Sequence, residues 1–372
     1  MAKSDFIGRI MLITKKIEER PRGGRELLCK LNHDILLKLF RDQLSLIELP
    51  VVSRASFRST LNAFRGQIDG VNPDSISLIL RAIRENEVAQ VFVDGSNLGG
   101  LVFLIKRKMP EVQVTTFFHN VEARFFLGAL IQLKTLRSLA VLIANTLAER
   151  KAVKFSDKRI CLSERDSGIL KALYGRGATN IVPMALEDKY TGQLSTDLCP
   201  ETQSYALFVG GPFYANLAGI TWFVAEVVPY IDMPVLIVGK GFERFRRQLE
   251  VPGKVIVVGT VDNIADSYAR AKFVIAPIFD GSGMKTKVAE ALMFGKKIIG
   301  TPEAFSGYSD VASQAGWVCR TPEQFVSAIN AASREIIEPF NPMLRDIFLR
   351  SYSMDAAMSK FGSILFASGK SL

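Results

Sequence analysis

Short, almost wholly apolar runs recur along the chain, separated by longer segments of mixed polarity. In the first half they are RIMLIT at residues 9–14, QVFVD at 90–94, residues 112–118 and KRICL at 158–162. Runs of this length without polar alternation indicate strands buried on both faces, as in a parallel sheet. Between them the pattern predicts a polar loop, KKIEERPRGG, and a helix from about Arg25. A second helix opens at residues 95–100, and a long helical stretch covers 121–155. Ser163, followed by Glu164 and Asp166, reads as a helix N-cap with acids in the first turn. Strand then helix, repeated, predicts parallel strands joined by crossover helices.

Residues 187–204 are polar and aperiodic and read as a linker. The pattern then resumes more clearly, with strands at 205–210, 235–239, 254–258, 273–276 and 297–300. Helices are predicted near 216–228, 242–249, 264–271 and 285–294, and beyond Gly316 near 322–335 and 355–366. The chain therefore divides into an α/β domain over 1–186, the linker, and a second α/β domain over 205–345. Each is expected to be a doubly wound, Rossmann-like sheet, with ligands beyond the carboxyl ends of its strands and a shared crevice as the site.

Composition changes this picture little. The 372 residues are 48% hydrophobic and 23% charged, which excludes a disordered or fibrous chain and is long enough for two cores. Cys29, Cys161, Cys199 and Cys319 lack CxxC spacing, which argues against a disulfide scaffold or a zinc site. The first residues show no signal peptide, and no long uncharged apolar stretch predicts a membrane-spanning helix. Charge is more informative. Residues 1–186 hold 29 Lys+Arg against 18 Asp+Glu, or +11, while the rest holds 18 against 19, or −1. The first half is thus suited to an anionic partner: a phosphorylated substrate, nucleic acid or a lipid surface. No aromatic-basic motif supports nucleic acid.

The most informative stretch is APIFDGSGMKTKVAEA at residues 276–291. A strand ends, Gly281-Ser282-Gly283 turns, and a helix begins, with Lys285 and Lys287 expected in its first turn. Cations are disfavoured there by the helix dipole, and a bound phosphate would remove that penalty. Glu290 lies about one and a half turns deeper, where a carboxylate can accept two ribose hydroxyls. The alternative is a glycine turn with solvated lysines and a surface glutamate.

With its neighbours FVGGPFYANLAG, IVGKG and VVGTVDNIADSYARAKF, this stretch resembles the donor domain of family 4 glycosyltransferases of GT-B fold, in the branch that builds bacterial polysaccharides and glycolipids. Glu290 matches the family's ribose-binding Glu. The first Glu of the family's E-x7-E pair falls on Ser282, within the GSGMKxK form of one branch. The Arg and Lys that many relatives carry after the first donor strand fall on Gly211 and Asn216. The resemblance implies donor binding by Gly210, Gly211, Gly239, Lys240, Val261, Ser282, Gly283, Met284 and Glu290, with Lys285 and Lys287 on the diphosphate as the catalytic cations. It is weaker before residue 205. There HNVEAR at 119–124 is similar to the family's H-N-x-E segment, and Pro21-Arg22-Gly23-Gly24-Arg25 stands at its glycine-rich diphosphate loop.

From these likenesses His119 is expected near the transferring sugar, Gly23 and Gly24 beneath the diphosphate, and Arg22, Asn120 and Glu122 on the acceptor side. On the residues alone, His119 is equally a packed histidine, Arg22 part of a basic loop, Glu122 a helix cap and Lys240 structural. Two histidines and no Asp-x-Asp argue against a metal-dependent donor site, and the family needs no metal or other cofactor.

The implied fold is GT-B, two such domains facing a central cleft, with residues 346–372 returning to the first domain. The implied activity is a retaining, metal-independent transfer from a nucleotide-diphosphate sugar to a saccharide or lipid-linked acceptor. The implied place is cytoplasmic and peripheral at the inner face of the cell membrane. Residues 123–155 interleave bulky apolar side chains with Arg124, Lys134, Arg137, Arg150, Lys151 and Lys154, which suits either anionic lipid or a core helix with a solvated face. A nucleotide-sugar 2-epimerase of the same fold and a non-catalytic glycosyltransferase-like subunit are the alternatives.

Overall fold

The structure is a computed structural model that describes residues 8–19, 24–50, 63–64, 66, 68–192, 204–281 and 283–366. The chain separates into two compact units, Met1–Met184 with Met354–Leu372, and Ala185–Ser353.

In the first unit a six-stranded parallel sheet is ordered β2-β1-β3-β4-β5-β6. Its strands are β1 (Arg9–Lys15), β2 (Leu44–Leu49), β3 (Val88–Asp94), β4 (Gln113–Phe118), β5 (Lys158–Cys161) and β6 (Asn180–Ile181). The helices are α1 (Gly24–Phe40), α2 (Pro73–Glu85), α3 (Gly99–Lys108), α4 (Glu122–Leu133), α5 (Leu136–Phe155) and α6 (Glu164–Tyr174). Buried Ile10, Met11, Leu12 and Ile13 on β1, with Val91, Phe92 and Val93 on β3, form the two-sided apolar centre that the runs predicted.

The predicted 121–155 helix is two helices. Lys134 turns left-handed (φ 48°) at the end of α4, and Thr135 caps α5 through a capping box with Ser138. Strand β2 and helix α2 escaped the pattern. β2 (LSLIEL) is only partly buried at the sheet edge, so its apolar run is broken. α2 carries a local start signal, with Asn72 accepting from Ser75 N and Pro73 in the first turn. Ser163 caps α6 by accepting from Asp166 N.

The second unit has a six-stranded parallel sheet ordered β12-β11-β10-β7-β8-β9. Its strands are β7 (Tyr205–Val209), β8 (Val235–Val238), β9 (Val255–Gly259), β10 (Ala271–Ala276), β11 (Ile298–Gly300) and β12 (Gly316–Val318). Helices α7 (Tyr214–Glu226), α8 (Arg246–Leu249), α9 (Ile264–Arg270), α10 (Thr286–Met293), α11 (Ala312–Ala315), α12 (Pro322–Glu335) and α13 (Pro342–Ser351) complete it. Most of the expected linker, residues 193–203, lies outside the described residues.

The expected boundary at 345/346 falls inside α13, a correction with a packing cause. Arg345 on α13 pairs with Asp188 and lies over the Tyr190 ring, which holds α13 to the second unit. Only α14 (Met354–Phe366) belongs to the first. Its Phe361 packs on Phe92 and Phe117 at ring distances of 5.6 and 6.0 Å, and Gln90 Nε2 donates to Leu365 O at 3.0 Å.

Candidate functional site

In the second unit the chain runs from β7 to β8 and β9, then crosses to place β10 on the other side of β7. That reversal leaves a gap beyond the carboxyl ends of β7 and β10, where ligands of doubly wound sheets bind. Gly210, just after β7, has φ 153°, and a Cβ on Gly239 would lie 1.7 Å from Gly210 O. The turns after β7 and β8 therefore touch backbone to backbone, which only glycine at Gly239 allows.

Into this gap comes Lys287, in the first turn of α10. Its Nζ donates to Asn216 Oδ1 at 2.9 Å, lies 4.3 Å from the centre of the Phe208 ring, and would be 3.6 Å from a Cβ at Gly210. Asn216 also donates to Gly211 O at 2.8 Å, which ties the first turn of α7 to the glycine turn. Lys287 is buried, and no carboxylate forms an ion pair with it among the described residues. Burial pushes its pKa down to about 7, against an upward pull from Glu290 and with a further downward push from Lys285.

Lys285 stands one position outside its expected place. It is the residue before the helix rather than part of its first turn, and its Nζ pairs with Glu303 at 3.0 Å and donates to Gly283 O. Its charge is thus already matched by a carboxylate, a partner 18 residues away that spacing does not reveal. Tyr308 Oη donates to Lys285 O at 2.9 Å and fixes the turn. Met284 is buried and Gly283 has φ 65°, while Ser282 lies outside the described residues.

Glu290 sits one turn deeper than Lys287 and is partly buried. Tyr268 Oη donates to its Oε2 at 2.8 Å, so the carboxylate has one oxygen engaged and Oε1 left as the acceptor. The expected ribose contact of two hydroxyls would therefore fall mainly on Oε1, the oxygen that Tyr268 does not engage. Burial raises the Glu290 pKa, opposed by the Tyr268 hydrogen bond and by Lys189 and Lys287. Lys240 is exposed, and Val261 is partly buried. Between them Glu243, which the motif reading missed, accepts from Gly241 N at 2.6 Å and from Thr260 N and Oγ1 at 2.8 and 2.7 Å. Those bonds, the Thr260 side chain first, bring its pKa down to about 2 and join the loops after β8 and β9.

The first unit has its own switch point, between β1 and β3. Asp94, fully buried at the end of β3, faces His119 Nε2 at 2.9 Å and accepts from Asn32 Nδ2 and Thr14 Oγ1, each at 2.8 Å. Burial works against its ionisation, but His119 and the hydrogen bonds win and lower its pKa to about 2. His119 is 2% exposed and packs edge-on against Phe117. The imidazole expected at the sugar is therefore enclosed, while Asn120 beside it is partly exposed. Cys29 joins the cluster with Sγ 3.9 Å from His119 Nε2.

Cys29, Asp94 and His119 place three ligand-type atoms within 4.8 Å of one another. Both Asp94 oxygens already accept hydrogen bonds, and burial with the nearby Asp94 pushes the Cys29 thiol well up, so the group is held as a hydrogen-bonded network.

Arg25, at the start of α1, pairs with Asp69 at 3.0 Å and donates to Asn97 Oδ1 at 2.8 Å, and Lys15 pairs with the same Asp69 oxygen at 3.0 Å. Gly24 begins α1, whereas Arg22 and Gly23 lie outside the described residues. Glu122 is buried near Arg25, and burial raises its pKa. Its backbone N–H and that of Ala123 are capped by Glu149, at 2.8 and 3.2 Å. Glu149 is a fully buried carboxylate that also accepts from Tyr174 and Ser96, and burial lifts its pKa to about 7. Nothing in its sequence neighbourhood marked it, because its partners come from three other segments.

Residues 203–335 match the family described as Glycosyl transferases group 1. No curated protein matches the chain in sequence. Among solved structures, a sucrose-phosphate synthase from Thermosynechococcus elongatus is similar at TM-score 0.73 and 14% identity, over 97% of this chain and 100% of the other. The Anabaena protein HepE in complex with UDP is similar at TM-score 0.68 and 11% identity, over 96% and 100%. The lipopolysaccharide outer core galactosyltransferase WaaB is similar at TM-score 0.66 and 13% identity, over 97% and 100%. The chain has the GT-B fold, and within its second unit residues 203–335 are similar to the glycosyl transferases group 1 family.

Proposed function

We propose that the chain is a retaining, metal-independent glycosyltransferase. It moves a sugar from a nucleotide-diphosphate sugar to a saccharide or lipid-linked acceptor of bacterial polysaccharide or glycolipid synthesis, working in the cytoplasm at the membrane's inner face. The observation that carries this reading is Lys287, a buried lysine with no carboxylate paired to it among the described residues, placed at the switch point beside Gly210 and the start of α10. A desolvated lysine with a depressed pKa gains most from an anion, and helix N–H groups at the same end point toward it. HepE has been solved with UDP and with UDP-glucose, which favours uridine among the bases.

In this reading Lys287 and the α10 backbone stabilise charge that develops on the leaving diphosphate, the term that dominates such transfers. Glu290 Oε1 accepts from the ribose, with Tyr268 holding the other oxygen. Lys285, released from Glu303 when an anion arrives, adds a second cation. Front-side transfer, in which the leaving diphosphate helps take the acceptor proton, asks for no protein nucleophile.

Calorimetric titration with UDP, GDP, CDP, ADP and dTDP, each with and without EDTA, tests the donor site. Micromolar binding of one diphosphate, unchanged by EDTA, is the expected result. Absence of binding by all five removes the reading. Binding without transfer to any saccharide or lipid-linked acceptor would favour the non-catalytic subunit, and release of a free nucleotide-sugar epimer would favour the 2-epimerase.

A further inference from the structure

Helices α4 and α5 form a hairpin whose outer face is apolar and has no partner among the described residues. Ile131, Leu133 and Leu136 around its turn are 63, 64 and 87% exposed, and Leu139, Ile143 and Leu147 continue the stripe along α5 at intervals of about one helical turn. The inner face of α5, with Ala144, Ala148, Glu149 and Ala152, is buried in the first unit. The outer stripe is therefore surplus to the fold.

The charges around it are of one sign. Residues 122–155 contain six cations, Arg124, Lys134, Arg137, Arg150, Lys151 and Lys154, and two acids, Glu122 and Glu149. Both acids are buried, at 4 and 0% exposure. Lys134 and Arg137 flank the most exposed leucines at the turn, and Arg150, Lys151 and Lys154 follow Leu147 at the far end of α5. Neither helix is long and apolar enough to cross a bilayer. A second copy of the chain would bring like charges together on this face. An anionic bilayer supplies both hydrocarbon for the leucines and negative headgroups for the cations.

We propose that the α4–α5 hairpin is the surface by which this protein lies on anionic membranes. Leu133, Leu136, Leu139, Ile143 and Leu147 enter the interface, with Lys134 and Arg137 on the headgroups. The inference rests on the peripheral placement proposed above and names the surface that makes it.

Flotation of the full chain with phosphatidylcholine vesicles, with and without phosphatidylglycerol, tests it. Two variants are compared, Leu133→Ser with Leu136→Ser, and Lys134→Glu with Arg137→Glu; all four residues are exposed, and circular dichroism checks each fold. The wild type is expected to float only with phosphatidylglycerol and to be released by salt. Each variant is expected to bind more than about tenfold more weakly. Failure of the wild type to bind, or binding unchanged in both variants, overturns the proposal. So does a dimer that the leucine variant converts to monomer while vesicle binding persists. Nucleotide-diphosphate titration of the same variants stays unchanged, which separates loss of this surface from loss of the donor site.

Discussion

Asp94 Oδ1 lies 2.9 Å from His119 Nε2, with the two side chains 0 and 2% exposed. An ionised carboxylate only accepts, so Nε2 carries the proton, and Nδ1 is left without a partner among the described residues. The pair joins the end of β3 to the end of β4 and sets the orientation of the His119-Asn120 segment.

Acid stability follows from that pair. The Asp94 pKa is lowered from 3.8 to about 2, so its contribution is fully present above pH 4 and is lost as pH falls through about 2. The magnitude is on the order of 2 kcal/mol. Asp94→Asn is expected to flatten this part of the stability-versus-pH curve in urea titrations between about pH 2 and pH 5, where the Asp94 carboxyl titrates in the folded and unfolded chain. An unchanged slope would falsify the assignment.

Lys287 carries the opposite sign. Its pKa falls from 10.5 to about 7, so the unfolded chain holds the extra proton between those values. The protonation cost of burying the lysine is absent at pH above 10.5 and grows as pH falls, reaching on the order of 5 kcal/mol below about 7. Lys287→Met is therefore expected to stabilise the free protein at pH 6 more than at pH 9, while weakening diphosphate binding at least about tenfold. In the wild type, binding of a diphosphate at pH 8 is expected to take up close to about one proton, read from calorimetry in buffers of different ionisation heat. Equal stability changes at both pH values, with no proton uptake, would contradict this.

Removal of the Tyr268 hydroxyl separates positioning from direct contact at Glu290. Tyr268→Phe leaves Glu290 Oε2 without its donor, at an expected cost of about 1–3 kcal/mol in urea unfolding. Glu290→Ala is expected to weaken nucleotide diphosphate affinity at least about tenfold, and Glu290→Gln less. Affinity unaltered by Glu290→Ala removes the ribose role.

Gly239→Ala tests the contact between the two glycine turns. Its Cβ would lie 1.7 Å from Gly210 O at a φ of 151°, so backbone must move and the residue is strained besides. A drop of more than about 3 kcal/mol is expected by thermal or urea unfolding. A variant as stable as the parent would mean that the turns after β7 and β8 are not held together as described.

Much of the architecture was legible along the chain, because parallel strands buried on both faces must be continuous apolar runs and their crossovers must be helices. RIMLIT, QVFVD, YALFV and VLIV each proved to be a strand. Edge strand β2 was not legible, since partial burial leaves its pattern mixed, and α2 was missed although Asn72-Pro73 and Ser75 marked its start. The break at Lys134 was hidden because a left-handed residue and a threonine cap look like any helical pair in a hydrophobicity pattern.

The GSGMKTK turn, the glycines after β7 and β8 and the excess of cations in the first half were properties of the sequence by itself, because local backbone chemistry and composition determine them. The charge states were decided by tertiary structure. Among the described residues Lys285 found Glu303, Lys287 found Asn216 and a phenyl face, Glu290 found Tyr268, and Asp94 enclosed His119. Each partner comes from another segment. Whether a charged side chain is matched, desolvated or left open depends on what surrounds it in space, and spacing along the chain carries no record of that.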